Sequence, residues 1–126
     1  QIAPAYCTGV GKVILAFMDD DLRARALQQQ AFMKYTAATH DGATALSAEL
    51  TSIRHDGVAY DREEHEAGII SIAAPILIRN DVVIGAVSVA TTTSRHDLAG
   101  LEAFRPQLLK TADQIGAEAR NWQSPT

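Results

Sequence analysis

Four acids crowd residues 61–66, where Asp61-Arg62-Glu63-Glu64-His65-Glu66 sets carboxylates around one imidazole. Carboxylates and imidazoles bind divalent metals, so the run has to be weighed as a metal site first. Its spacing argues against one. Neighbouring residues in a loop rarely converge on a single ion, and the chain has neither an HExxH helix nor paired cysteines. No metal ligand and no cofactor are therefore assigned, and the run is expected to be a solvated acidic loop. Asp61 is the exception, because it ends a short predicted strand and can point inward from there.

A second stretch with chemical potential is Thr8-Gly9-Val10-Gly11-Lys12. It matches the end of a phosphate loop only in part: Tyr6 replaces the first glycine, and Val13 follows the lysine where Ser or Thr is needed. Nucleotide binding is rejected. A helix start flanked by glycines still exposes backbone N–H groups at a positive dipole end, which can hold a carboxylate. Cys7 just precedes that start, which can lower a thiol pKa, but no base accompanies it. His40, His55 and His96 stand in loops or at helix ends and read as surface residues. No serine has the context of a nucleophile elbow. These observations point away from an enzyme.

The elements that position these groups follow from periodicity. Thr8 is expected to cap a helix running from Gly9 to about Phe17. Asp19-Asp20-Asp21 then precede a second helix at roughly Leu22–Gln30. Phe32–Gly42 reads as a loop, with room for a short strand around Lys34-Tyr35-Thr36. Thr44 is expected to cap a third helix, on which Leu46, Leu50 and Ile53 fall at i, i+4 and i+7, and Gly57 ends it. A strand over Val58–Asp61, the acidic loop and two longer strands follow. From Asp97 to Trp122 the spacing is helical again, with Leu98, Leu101, Leu108, Ala112, Ile115, Ala119 and Trp122 on the apolar side. Pro106 is expected to kink or split that helix. The tail Gln123–Thr126 reads as frayed. The order implies an α/β (α+β) single domain over residues 1–126 with an antiparallel hairpin at its centre.

That hairpin is unusual in what alternates along it. With Asn80-Asp81 as a two-residue turn, Ser71 falls opposite Ala90, and Ala73 opposite Ser88. One face is then Ser71, Ala73, Pro75, Ala86, Ser88 and Ala90. The other is Ile70, Ile72, Ala74, Ile76, Val87 and Val89, a core face for the long C-terminal helix. The small, partly hydroxylated face admits two readings. A second helix can approach closely there, or a ligand can occupy an apolar cavity with a few placed hydroxyls.

The bulk numbers bound the partners. A net charge of -4 argues against this segment gripping nucleic acid itself. The single cysteine excludes an internal disulfide, and no apolar run approaches a membrane span. A cytoplasmic protein without membrane contact is expected. Because the chain opens on Gln1, it is read as a fragment of a longer protein.

The segment Gly57-Val-Ala-Tyr-Asp-Arg-Glu-Glu-His-Glu-Ala-Gly-Ile-Ile-Ser-Ile-Ala-Ala-Pro-Ile, with Val83-Ile-Gly-Ala-Val-Ser-Val after it, resembles the signature of the C-terminal effector-binding domain of IclR-type transcriptional regulators. Pro4-Ala-Tyr-Cys-Thr-Gly-Val-Gly-Lys resembles the segment that opens that family's first effector-domain helix. The helix ending Glu49-Leu-Thr-Ser-Ile-Arg-His-Asp-Gly fits as well. The resemblance implies a GAF-like domain that binds a small organic-acid effector and controls a separate N-terminal winged helix-turn-helix domain. DNA would be contacted only through that other domain. Homodimers or homotetramers, and a repressor role, are implied in the same way. So is the absence here of the first effector-domain strands.

Carried over by position, the resemblance assigns the effector site to the amides of Gly9 and Val10, with Asp61, Ile69, Ser71, Ser88 and Ala90. Two of these depart from relatives: Ser71 stands where some have cysteine, and Ala90 where some have a second serine. The alternative is a GAF-like sensor or dimerisation module of another signalling protein.

Overall fold

A computed structural model describes residues 8–29, 36, 39, 42–79 and 82–122. Cys7, His40, the Lys34–Thr36 strand, the Asn80-Asp81 turn and the 123–126 tail fall wholly or partly outside these residues.

The first helix, α1 (Gly9–Phe17), starts where its cap requires. Thr8 is extended, and its hydroxyl accepts a hydrogen bond from the Gly11 amide at 3.1 Å. Gly9, Lys12, Val13 and Ala16 are buried at i, i+3, i+4 and i+7, the spacing of one helix face. Helix α2 (Asp20–Gln29) begins earlier than expected, because the Asp19 carboxylate accepts from the Asp21 amide and leaves Asp20 and Asp21 in the first turn. Helix α3 (Ala43–Asp56) corrects the assignment of its cap. Gly42 occupies that position and makes no side-chain cap bond, while Thr44 lies exposed within the first turn. Leu46, Leu50 and Ile53 are buried as their spacing predicts. Gly57 ends the helix in the left-handed region at φ 83°, a conformation that suits glycine.

Three antiparallel strands follow: β1 (Ala59–Arg62), β2 (Ile69–Leu77) and β3 (Val83–Thr92), in that order across the sheet. From Ile69 to Ile76 the register is the expected one, with Ser71 opposite Ala90 and Ala73 opposite Ser88. Nearer the turn it slips. Leu77 pairs with Val83, so a bulge between Ile76 and Leu77 absorbs one residue of β3. The Val82 amide donates to the Arg79 carbonyl at 3.3 Å, and the Ile78 amide donates to Val82 at 2.9 Å.

The C-terminal helical stretch is split just ahead of Pro106, as expected. Helix α4 (Leu98–Glu102) is capped by Asp97, whose carboxylate accepts from the Gly100 amide at 2.8 Å. Helix α5 (Arg105–Trp122) starts after Ala103-Phe104, so Pro106 sits in its first turn, where a missing N–H forfeits no helical bond.

Two cores lie on either side of the sheet. Ile70, Ile72 and Ala74 pack with Val58, Leu101, Leu108 and Ala112, so the bulky face meets α4 and α5 as expected. Ile115 is half out of this core, and Gly116 takes the buried place instead. A Cβ on Gly116 would stand 2.5 Å from the Leu77 carbonyl oxygen, so α5 crosses β2 at the distance only glycine allows. On the other side, Ala59 and Ala73 pack with Val13, Leu15 and Ala16 of α1 and with Leu46, Leu50 and Ile53 of α3. The fold is mixed α/β: an antiparallel three-stranded sheet with helices on both faces and a long C-terminal helix.

Candidate functional site

The small-residue face is a grid of three strands. Asp61, Ser71 and Ala90 form one cross-strand row, and Ala59, Ala73 and Ser88 the next. Side chains of directly opposed residues share a face, so these six project toward α1. Close helix packing accounts for part of this face: a Cβ added to Gly9 would lie 2.9 Å from the Ser71 hydroxyl and 3.4 Å from the Ala73 Cβ. Glycine at position 9 is what lets the start of α1 descend onto the sheet.

The helix does not cover the whole grid. Ser88 and Ala90, on β3, are exposed, and Val10, in the first turn of α1, is 37% exposed. Ser71 is only 8% exposed, and none of the hydrogen bonds among the described residues involves its hydroxyl. Ile69 is half-buried at the end of β2, opposite Thr92. The amides of Gly9 and Val10 open α1, where backbone donors have no partner within the helix. One patch therefore combines helix-start amides, two hydroxyls and a carboxylate, and it is open only at its β3 side, at Ser88 and Ala90.

Asp61 points inward, as expected, and is 6% exposed. Its Oδ1 accepts the Glu64 amide at 2.8 Å. Burial pushes its carboxyl above the usual 3.8, and the Glu64 amide and the Lys12 charge pull it back without cancelling that rise.

The acidic loop is not simply solvated, which corrects the expectation for Glu64. That side chain is turned in and 5% exposed, with both oxygens on the Lys12 ammonium at 2.7 and 2.9 Å. The same ammonium, fully buried, also reaches Glu49 Oε2 at 2.8 Å and donates to the Tyr60 carbonyl. The Arg62 amide donates to Glu64 Oε2 at 3.1 Å. Burial raises the Glu64 carboxyl above its usual 4.5, and the nearby Glu49 charge adds to that rise against the pull of Lys12. Thr36 and Thr39 donate to the carbonyls of Glu63 and Glu64, and Glu63 itself sits at φ 60° and accepts the Gly68 amide at 2.9 Å. Sequence reasoning missed Lys12 and Glu64. The available signal was position: Lys12 lies on the Gly9, Val13, Ala16 face, where a charge has to be paired.

Two cavities lie away from this patch. One of about 480 Å³ is lined by Ile14, Phe17, Met18, Leu22, Val82 and Val83, among others. Another of about 460 Å³ lies at Arg62, Ile70, Thr93, His96 and Leu98. His55 and His96 are exposed, as expected.

Residues 1–117 match the family described as bacterial transcriptional regulator IclR C-terminal. The chain belongs to that family. Among relatives of this IclR C-terminal domain, the HTH-type transcriptional regulator XynR of Escherichia coli is 36% identical over 105 residues, covering 83% of this chain and 42% of that protein. The crystal structure of the C-terminal domain of the E. coli transcriptional regulator KdgR superposes with a TM-score of 0.86 at 32% identity, over 93% of this chain and 71% of that one. The PobR inducer-binding domain from Acinetobacter, solved as a double mutant in complex with 3-hydroxybenzoic acid, gives a TM-score of 0.83 at 27% identity, over 90% of this chain and 65% of that one. The IclR C-terminal domain described here thus spans less than half the length of the curated regulators it matches.

Proposed function

We propose that the domain senses a small organic acid on the small-residue face and that ligand binding there controls DNA binding by a separate winged helix-turn-helix domain of the same regulator. The observation that carries this reading is the row Asp61, Ser71, Ala90 beneath the start of α1, with Ser88 open in the next row. A ligand carboxylate accepts hydrogen bonds from the Gly9 and Val10 amides and the Ser88 hydroxyl. Asp61 and Ser71 hold a hydroxyl, a hydrated carbonyl or a bridging water, and Ile69 forms an apolar wall. Ala90, which has no hydroxyl to offer, leaves room rather than a bond.

A carboxylate with a hydroxyl a few ångströms away suits this pattern of donors and acceptors. The PobR inducer-binding domain, with its 3-hydroxybenzoic acid, makes hydroxy acids the natural first panel. Binding regulates only if the two states of the whole regulator, an oligomer on this reading, take the ligand unequally. Titration calorimetry with hydroxybenzoates and small aliphatic hydroxy acids tests the reading. Ser88→Leu is expected to weaken the acid that binds by at least tenfold, through loss of a charge-assisted hydrogen bond of about 1.5–3 kcal/mol and filling of the open floor. An unchanged affinity in that variant means the site lies elsewhere.

A further inference from the structure

We infer that Lys12 is a positioning residue for this site: its buried ammonium sets where the Asp61 carboxylate stands relative to the start of α1. The inference rests on the effector reading above and goes beyond it. Lys12 is fully buried, yet its ammonium reaches three separate elements. It holds Glu64 of the acidic loop at 2.7 and 2.9 Å, Glu49 of α3 at 2.8 Å, and the carbonyl of Tyr60 in β1.

Two of these contacts bracket Asp61. Tyr60 is its chain neighbour, and Glu64 supplies the amide that donates to Asp61 Oδ1 at 2.8 Å. On its own helix, Lys12 stands one turn after Gly9, and its amide donates to the Thr8 carbonyl at 2.9 Å. One side chain therefore ties the first turn of α1 to both of the groups that flank the Asp61 carboxylate. Asp61 stands on β1, but its carboxylate is fixed by an amide of the following loop, and a side chain is held to the fraction of an ångström that recognition needs only when such a second shell is itself locked. Here the lock is the ammonium and the two carboxylates it bridges.

A purely structural role would affect stability alone, so the test separates stability from position. Lys12→Met strands the buried Glu64 carboxylate and is expected to destabilise the fold. Lys12→Met with Glu64→Gln removes that stranded charge, and its urea midpoint is expected to move back toward the parent's. Two readouts are then compared in the double variant. Exchange of the backbone amide at position 64, the donor to Asp61, is expected to lose about tenfold or more of its protection relative to the Glu64→Gln single variant, the worth of one hydrogen bond no longer held. Affinity for 3-hydroxybenzoate, measured by calorimetry, is expected to fall by a similar factor. Recovery of protection at position 64 together with the urea midpoint overturns the inference. If the parent chain does not bind 3-hydroxybenzoate, the ligand reading fails for that acid, while the exchange measurement still decides whether Lys12 positions the loop.

Discussion

Asp61 faces Ser71 across the strands and is fixed from one side by the Glu64 amide. Its raised pKa has a consequence whose sign is definite. The folded chain keeps a proton at pH values where the unfolded chain, near 3.8, has already released it. Asp61 therefore contributes most favourably below the unfolded value, and that contribution is lost as pH rises through the folded one. Asp61→Asn keeps an oxygen for the Glu64 amide but cannot ionise. The stability of this variant relative to the parent, from urea midpoints at successive pH values, is expected to rise from below 3.8 through the folded pKa and then level off. A relative stability that falls across that window contradicts the burial of this carboxylate. Residues of this kind were unevenly legible. Asp61 announced itself by ending a strand. Lys12 did not, because a lysine in a Gly-Val-Gly-Lys stretch reads as surface or as phosphate chemistry. Its true setting depends on Glu49 and Glu64, which are distant in sequence and arrive only when three elements meet.

At the scale of elements, the cap at Thr8 and the stop at Gly57 were readable because each is a local event. The register of the hairpin was readable because strand alternation has a period of two, so small and bulky residues sort onto opposite faces. The bulge opposite Ile76 and Leu77 was not, since the extra residue, Ile84 of β3, is an aliphatic like its strand neighbours and carries no mark of its place. Nor was the crossing of α5 over β2. Gly116 looks like an ordinary weak point in a helix, whereas its value lies in the Leu77 carbonyl 2.5 Å from where a Cβ would be. Gly116→Ala improves helix propensity by about 1 kcal/mol. The overpacking it causes against backbone costs about 1–3 kcal/mol, and backbone yields less readily than a side chain. A net loss of stability is expected, read as a lower urea midpoint with an unchanged slope. A stabilised variant would show that α5 does not approach β2 this closely. The same logic explains Gly9 on the opposite face, where the neighbour is the Ser71 hydroxyl and the close approach builds the candidate site.

The whole molecule pairs a bulky core face, sealed by α4 and α5, with a small face that α1 covers only in part. The aliphatic face is closed by α4 and α5, while on the other face Ala59 and Ala73 are packed under α1 and α3 and only the β3 side, at Ser88 and Ala90, stays open. The sheet's β3 edge pairs with no strand among the described residues, so Ser88 and Ala90 lie at the open side of the fold. The chain belongs to the IclR C-terminal family, and the regulators it matches are more than twice the length of the matched segment. On the proposed reading the small face, and neither of the two cavities, takes the acid. Amide chemical-shift mapping during titration with 3-hydroxybenzoate and related hydroxy acids tests it most directly. For the acid that binds, the largest shifts are predicted at Gly9, Val10, Asp61, Ser71 and Ser88. Shifts confined instead to Ile14, Phe17 and Val83, or to Arg62, Thr93 and His96, would contradict the account.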